Sequence, residues 1–209
     1  MQEFQLYVNG QWTAGAGGED IIYNPASGEA VGKVAVATAE DAHRALEAAR
    51  AAQVNWRRTP NQQRADLLRK FSAEIGKHKE ELARTIVAEQ GKLLKVARFE
   101  VDATCSFLEY AAGWARHIEG DIVPSDNPNE QLLIHKVPKG VVVAITAWNF
   151  PLALAGRKLG PALVTGNTVV LKPTPAAPLS TLMLCDLAAA AGIPPGVINA
   201  VTGGVEDGV

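Results

Sequence analysis

One stretch, Val137 to Thr174, limits what the rest of the chain can fold into. Gly140 to Ile145 is an apolar, β-branched run of strand length that stops at Trp148-Asn149-Phe150-Pro151. Proline fixes its own φ and pushes the preceding residue out of the α region, so a turn is expected at Phe150. A helix should follow from about Leu152 to Val164, closed by Gly166. A second buried strand runs from Thr168 to Leu171 and ends at Lys172-Pro173. Strand, turn, helix and strand in this order make a βαβ unit, and its crossover is right-handed. Both strands are near-continuous apolar runs, as in parallel strands covered on two faces. Ligands of such sheets bind beyond the carboxyl ends of the strands, where the polar residues are Asn149 and Lys172.

The flanking segments extend this unit. Downstream, Pro178 to Ala191 carries Leu179, Leu182, Met183, Leu187 and Ala190 on one helical face and ends at Gly192. Val197 to Val201 then reads as a third parallel strand. Upstream, Phe4 to Val8 and Gln11 to Ala14 flank Asn9-Gly10, a strong hairpin dipeptide. Ile21 to Tyr23 is a further short strand before a turn at 24–28. Thr38 with Asp41 resembles a capping box opening a helix that Trp56 closes. A second helix runs from Pro60 to about His78, and a third from Glu80 to Glu89, ended by a left-handed Gly91. A fourth runs from about Leu94 to His117, with Val101, Cys105, Leu108, Tyr110 and Trp114 as candidate core positions. Asp121 to Pro124 and Gln131 to Val137 look like two strands joined by a polar, turn-rich connector. Leu132, Leu133 and Ile134 in a row leave one face of that pair apolar and exposed.

Composition excludes several classes. The chain has 209 residues, 47% hydrophobic and 20% charged, with net charge −2 and no basic tract, so nucleic acid is not suggested. No apolar run reaches the roughly 18–20 residues of a membrane helix. The first residues have neither the basic nor the apolar part of a signal peptide. Two cysteines far apart argue against a disulfide framework and for a reducing, cytoplasmic setting. His43, His78, His117 and His135 lack metal-ligand spacing among themselves or with either cysteine, so no metal is expected.

Read alone, Asn149 is either the cap of its own turn or a side-chain amide donor to a developing oxyanion. Lys172 is either a snorkelling surface lysine or an ammonium for ribose hydroxyls or phosphate in the crevice. Cys105 and Cys185 sit inside apolar helical patterns and read as buried, inert thiols.

Taken together, A-W-N-F-P at 147–151, the R-K-L-G-P-A-L-V-T-G-N-T-V-V-L-K-P run at 157–173 and A-G-I-P-P-G-V-I-N at 191–199 resemble the aldehyde dehydrogenase superfamily. The likeness extends weakly back to Tyr7-Val8-Asn9-Gly10-Gln11-Trp12. Glu119-Gly120-Asp121 and Leu132-Leu133-Ile134 resemble the lactaldehyde/glycolaldehyde branch. The resemblance implies an α/β fold: an incomplete Rossmann-like parallel sheet with an N-terminal helical layer and a protruding β-hairpin. Residues 1–118 would be the strands and helical layer of the cofactor-binding domain, 119–138 an oligomerisation hairpin, and 139–209 the first βαβαβ part of the dinucleotide-binding domain. Asn149 would hold the thiohemiacetal oxygen. Ile145, Thr146, Ala147 and Trp148 would line the cofactor crevice, with Lys172, Thr174 and Pro175 beside them. Lys158 matches a second family lysine, equally a structural residue or a cofactor contact.

The cofactor implied is NAD or NADP. NAD-preferring members usually carry Glu three residues after this lysine; here Pro175 stands there, which leaves room and charge for a 2′-phosphate. The implied activity is oxidation of an aldehyde to a carboxylate, in a homo-oligomer built through the 119–138 hairpin. The family's nucleophile and E-L-G-G general-base motifs have no counterpart in the 209 residues. The expectation is therefore an N-terminal fragment, catalytically inactive by itself. The alternatives are a non-catalytic nucleotide-binding or interaction module and a gene fragment without function.

Overall fold

A computed structural model describes residues 1–204; the last five residues of the segment 139–209 lie outside the described residues. In chain order the elements are β1 Gln2–Phe4, β2 Leu6–Val8, β3 Gln11–Thr13, β4 Glu19–Tyr23, β5 Ala30–Ala35, α1 Ala39–Trp56, α2 Asn61–Lys77, α3 Lys79–Gln90, α4 Leu94–Gly113, β6 Asp121–Val123, β7 Leu132–Ile134, β8 Val141–Ile145, α5 Pro151–Val164, β9 Thr168–Lys172, α6 Leu179–Ala190 and β10 Ile198–Ala200.

The central unit forms as its pattern dictates. β8, β9 and β10 are parallel neighbours, with α5 and α6 as crossovers. The main sheet has the order β3-β2-β10-β9-β8. The N-terminal hairpin completes it: β2 lies antiparallel to β10, and Asn199 Oδ1 accepts the N–H of Asn9 at 2.9 Å. Asn9 and Gly10 both have positive φ, 52° and 81°, as the tight turn between β2 and β3 requires. The expected single strand from Phe4 to Val8 is instead two. β1 joins β5 and β4 in a second sheet, while β2 joins the main one, because the chain changes sheets at Gln5. Ala30–Ala35 is a further strand, parallel to β1 and antiparallel to β4.

Side chains alternate across β9 and divide the core. Val170 faces α1, in a small cluster with Leu6, Ala45, Ala49 and Val201. Val169 and Leu171 face the other way, into a larger cluster with α5, α6 and the helical layer α2–α4 behind them. The α1 capping box is present in full: Asp41 N donates to Thr38 Oγ1, and Thr38 N donates to Asp41 Oδ2. Gly91 ends α3 in the left-handed region, φ 76°.

Two candidate core positions are corrected. Tyr110 and Trp114 are exposed, at 69% and 48%. The buried face of α4 is set by Ala97, Val101, Thr104, Leu108 and Ala111, a helical stripe that turns Tyr110 and Trp114 outward. Where α4 meets α5, glycines replace side chains. A Cβ on Gly156 would lie 2.7 Å from Thr104 Cγ2, and one on Gly160 would lie 2.8 Å from Ala111 Cβ. The β6–β7 hairpin stands apart as a two-stranded sheet, with Ile122, Leu132, Leu133 and Ile134 exposed.

Candidate functional site

The strand ends beyond which ligands bind in such a sheet come together at one place. Ile145, the last residue of β8, pairs with Lys172, the last of β9. Thr146 N donates to Lys172 O at 3.1 Å and continues the ladder one step. Lys172 Nζ donates to the carbonyl of Gly203, just past β10, at 3.1 Å. These ends rim a cleft of about 170 Å³ on the α1 side of the sheet. Ala42 and Leu46 of α1, Val143 and Ile145 of β8, Val170 and Val201 form apolar walls, and Lys172, Thr202 and Gly203 form the polar end. The cleft is open toward β8, an edge strand of the sheet. Val143 and Ile145 are 53% and 57% exposed on the sheet's edge strand.

Next to the cleft, the chain leaves β8 through Ala147, Trp148 and Asn149, all exposed, and enters α5 at Pro151. The carbonyl of Asn149 accepts from Lys92 Nζ at 2.7 Å. Among the described residues, its side-chain amide has no hydrogen-bond partner. Asn149 therefore does not cap its own turn, and its donors are free to meet a ligand.

Both crossover helices begin without a side-chain cap of their own, at Phe150 and Pro178. The helical layer supplies the caps. Glu100 Oε1, from α4, accepts the N–H groups of Leu152 and Ala153 at 2.9 and 3.2 Å. Glu89, from α3, accepts those of Leu179 and Ser180 at 2.6 and 3.0 Å. Helix N-termini in such folds commonly hold phosphate. Here the carboxyl oxygens of Glu100 and Glu89 occupy the N–H groups that a phosphate would use. Burial pushes the Glu89 carboxyl up to about 7, against the pull of its hydrogen bonds from Ser180 and Leu179. Lys92 pairs with Glu100, so a cation, a carboxylate and a helix N-terminus meet under the Asn149 turn.

Of the candidate residues, Ile145 and Lys172 share the cleft, and Thr146 is buried behind it. Ala147, Trp148 and Asn149 form the adjoining turn. Thr174 and Pro175 follow β9 at the surface, where Thr174 Oγ1 accepts from Ala176 N at 3.4 Å. Lys158 is not brought to the cleft: it lies exposed on α5, seven residues from the helix start, about 10 Å along the axis. Both thiols are poor nucleophiles. Burial pushes Cys185 far up and Cys105 up, and Cys105 donates to Ser72 O. Lys92, Glu89 and Glu100 join the site only through long-range contacts, beyond the candidates that the sequence offers. The available signal was Glu100 itself, a charge on the apolar stripe between Ala97, Val101 and Thr104.

The aldehyde dehydrogenase family matches residues 12–208. The 3,6-anhydro-alpha-L-galactose dehydrogenase of Vibrio sp. (strain EJY3) is 55% identical over 205 residues, 98% of this chain and 43% of that protein. The succinate-semialdehyde dehydrogenase [NADP(+)] GabD of Escherichia coli (strain K12) is 42% identical over 95% of this chain and 42% of its own length. The solved structure of 3,6-anhydro-L-galactose dehydrogenase in complex with NAP superposes with TM-score 0.96 at 55% identity, covering 98% of this chain and 43% of that one. The chain thus spans less than half the length of the relatives it matches.

Proposed function

The chain belongs to the aldehyde dehydrogenase family, and on that premise we propose that it forms the N-terminal, cofactor-side portion of an oxidoreductase that oxidises an aldehyde to a carboxylate with NAD(P)+. The observation that carries this reading is Lys172: an ammonium at the polar end of an otherwise apolar cleft, at the carboxyl ends of three parallel strands. The apolar walls suit the faces of a purine ring. The ammonium suits ribose hydroxyls or a 2′-phosphate. The α5 and α6 N-termini do not hold the pyrophosphate, because Glu100 and Glu89 already take their N–H groups.

The nicotinamide, when bound, accepts the hydride of the aldehyde carbon. This chain's residues orient and stabilise. Asn149 donates its side-chain N–H to the oxygen of the aldehyde adduct, a role worth about 2.7–4 kcal/mol in comparable oxyanion sites. The thiolate that attacks the aldehyde comes from neither Cys105 nor Cys185, since burial disfavours both thiolates. The purified 209-residue chain is then without aldehyde-dependent NAD(P)H formation; steady turnover would overturn that.

With Pro175 in place of an acidic residue, nothing at that position repels a 2′-phosphate, and the chain accepts NADP+ as well as NAD+. Calorimetric titration of the chain with each cofactor tests this. Lys172→Ala weakens binding about 10- to 150-fold if one charge-assisted hydrogen bond is lost. Unchanged binding in that variant would remove the cofactor reading, and a strong NAD+ preference would remove the NADP reading alone. The exposed β6–β7 hairpin is the surface for homo-oligomer formation, and the setting is cytoplasmic. Among the described residues no helix is long and apolar enough to cross a membrane.

A further inference from the structure

The turn that presents Asn149 is tied down from outside itself. Lys92 follows the left-handed Gly91 at the end of α3. Its ammonium has three neighbours: the Glu100 carboxylate, the Asn149 carbonyl oxygen at 2.7 Å, and the Phe150 ring, whose centroid is 4.0 Å away. Glu100 in turn accepts the N–H groups of Leu152 and Ala153. A closed loop of contacts therefore runs from the backbone at 149, through Lys92 and Glu100, back to the backbone at 152 and 153. It encloses Phe150-Pro151. Both charged members are sealed from water, with the Lys92 side chain 8% exposed and that of Glu100 0%. Hydrogen bonds with a charged partner are the shorter and stronger ones. The Asn149 amide has no such tether among the described residues, so only its own backbone orients it.

We propose that Lys92, held by Glu100, is the positioning residue for Asn149. It fixes the backbone of the turn, and so directs the side-chain amide beyond the end of β8. The proposal rests on the reading of Asn149 as an oxyanion donor, a role that needs placement within about 0.5 Å. A plain staple between α4 and α5 would hold the helices together but leave the order of the Asn149 backbone independent of Lys92.

Backbone ¹⁵N relaxation of the 209-residue chain separates the two, read at the N–H of Asn149 in the turn whose carbonyl Lys92 holds. In the parent, the Asn149 backbone N–H order parameter is expected near the rigid value of about 0.85; a parent value below about 0.6 overturns the proposal. The variant to compare is Lys92→Met/Glu100→Gln. It leaves no buried charge unpaired and keeps a carbonyl for Leu152 and Ala153. In it, the Asn149 value drops below about 0.6 while that of Asn167, whose backbone N–H donates to Ala162 O, holds. Lys92→Arg, which retains the charge and its donors, restores most of the order. An unchanged Asn149 value in the double variant overturns the proposal. In the complete enzyme, the double variant lowers kcat at least tenfold but adds no further loss on an Asn149→Ala background; additive losses also overturn it. If Asn149→Ala alone leaves kcat intact, the oxyanion reading fails instead, and the relaxation result still reports on the positioning.

Discussion

Among single residues, two buried carboxyls do most of the specifying. Asp41 is the clearest. Burial works against its charge, but the N–H groups of Ala16 and Thr38, the Arg44 guanidinium and the Thr38 hydroxyl hold its carboxyl down at about 2. A depressed carboxyl contributes stability above its unfolded pKa, and that contribution is lost as pH falls toward about 2. Asp41→Asn is therefore expected to lower the melting midpoint at pH 7 and to narrow its gap from the parent as pH drops from about 4 to 2. Glu89 has the opposite sign. Its carboxyl is raised from 4.5 to about 7, so between those values the folded state keeps a proton that the unfolded state has released. Stability falls as pH rises through that window and does not return above it. Glu89→Gln removes the dependence, and melting curves of parent and variant should diverge from pH 4.5 to 7 in the variant's favour. Asp41 was legible in sequence, because a capping box is a local pattern. Glu89 was not, because its partners Leu179 and Ser180 lie 90 and 91 residues away.

At the element scale, α5 is held at both ends by groups from other helices. Glu100 takes its first N–H groups, and Arg64 Nε donates to the carbonyl of Val164 at its other end, at 2.9 Å. Acid at the N-terminus and base at the C-terminus is the arrangement the helix dipole favours. Arg64 also donates to the carbonyls of Trp56 and Thr59, which anchors the end of α1. The α4–α5 contact is equally specific. Gly160→Leu would push a side chain against Ala111 and the Phe107 carbonyl, and overpacking of this kind costs about 1–3 kcal/mol. At roughly 2–4 °C per kcal/mol for a domain of this size, calorimetry should register a drop of several degrees. Helix existence followed from spacing and caps. The outward turn of Tyr110 and Trp114 did not, because periodicity places residues on faces without saying which face another helix will cover.

Across the whole molecule, apolar side chains stand in water on the β6–β7 hairpin and on the outer part of β8 with Val143 and Ile145, as do Tyr110 and Trp114 of the α4 end. Exposed apolar edges associate. Sedimentation of the chain is expected to show self-association that weakens on Leu133→Lys and Ile122→Lys, with the melting midpoint little changed since both side chains touch solvent. A monomer at every concentration would contradict it. The packing of α1 over the sheet places the cleft beside the strand ends and assembles it from residues 37 to 203.

The parallel βαβ core, its turn at 148–151, the residues at its strand ends and the family are all legible locally. Each of these is carried by contiguous residues, through proline and glycine backbone limits and the period of apolar side chains. Long-range packing is what assigns β1 and β2 to different sheets, keeps Lys158 away from the cleft, and brings carboxyl groups from α3 and α4 to the helix ends where phosphate could have docked. Those outcomes depend on which polar groups are buried together. An unpaired buried charge or N–H costs too much to tolerate, so the final packing selects partners far apart in the chain.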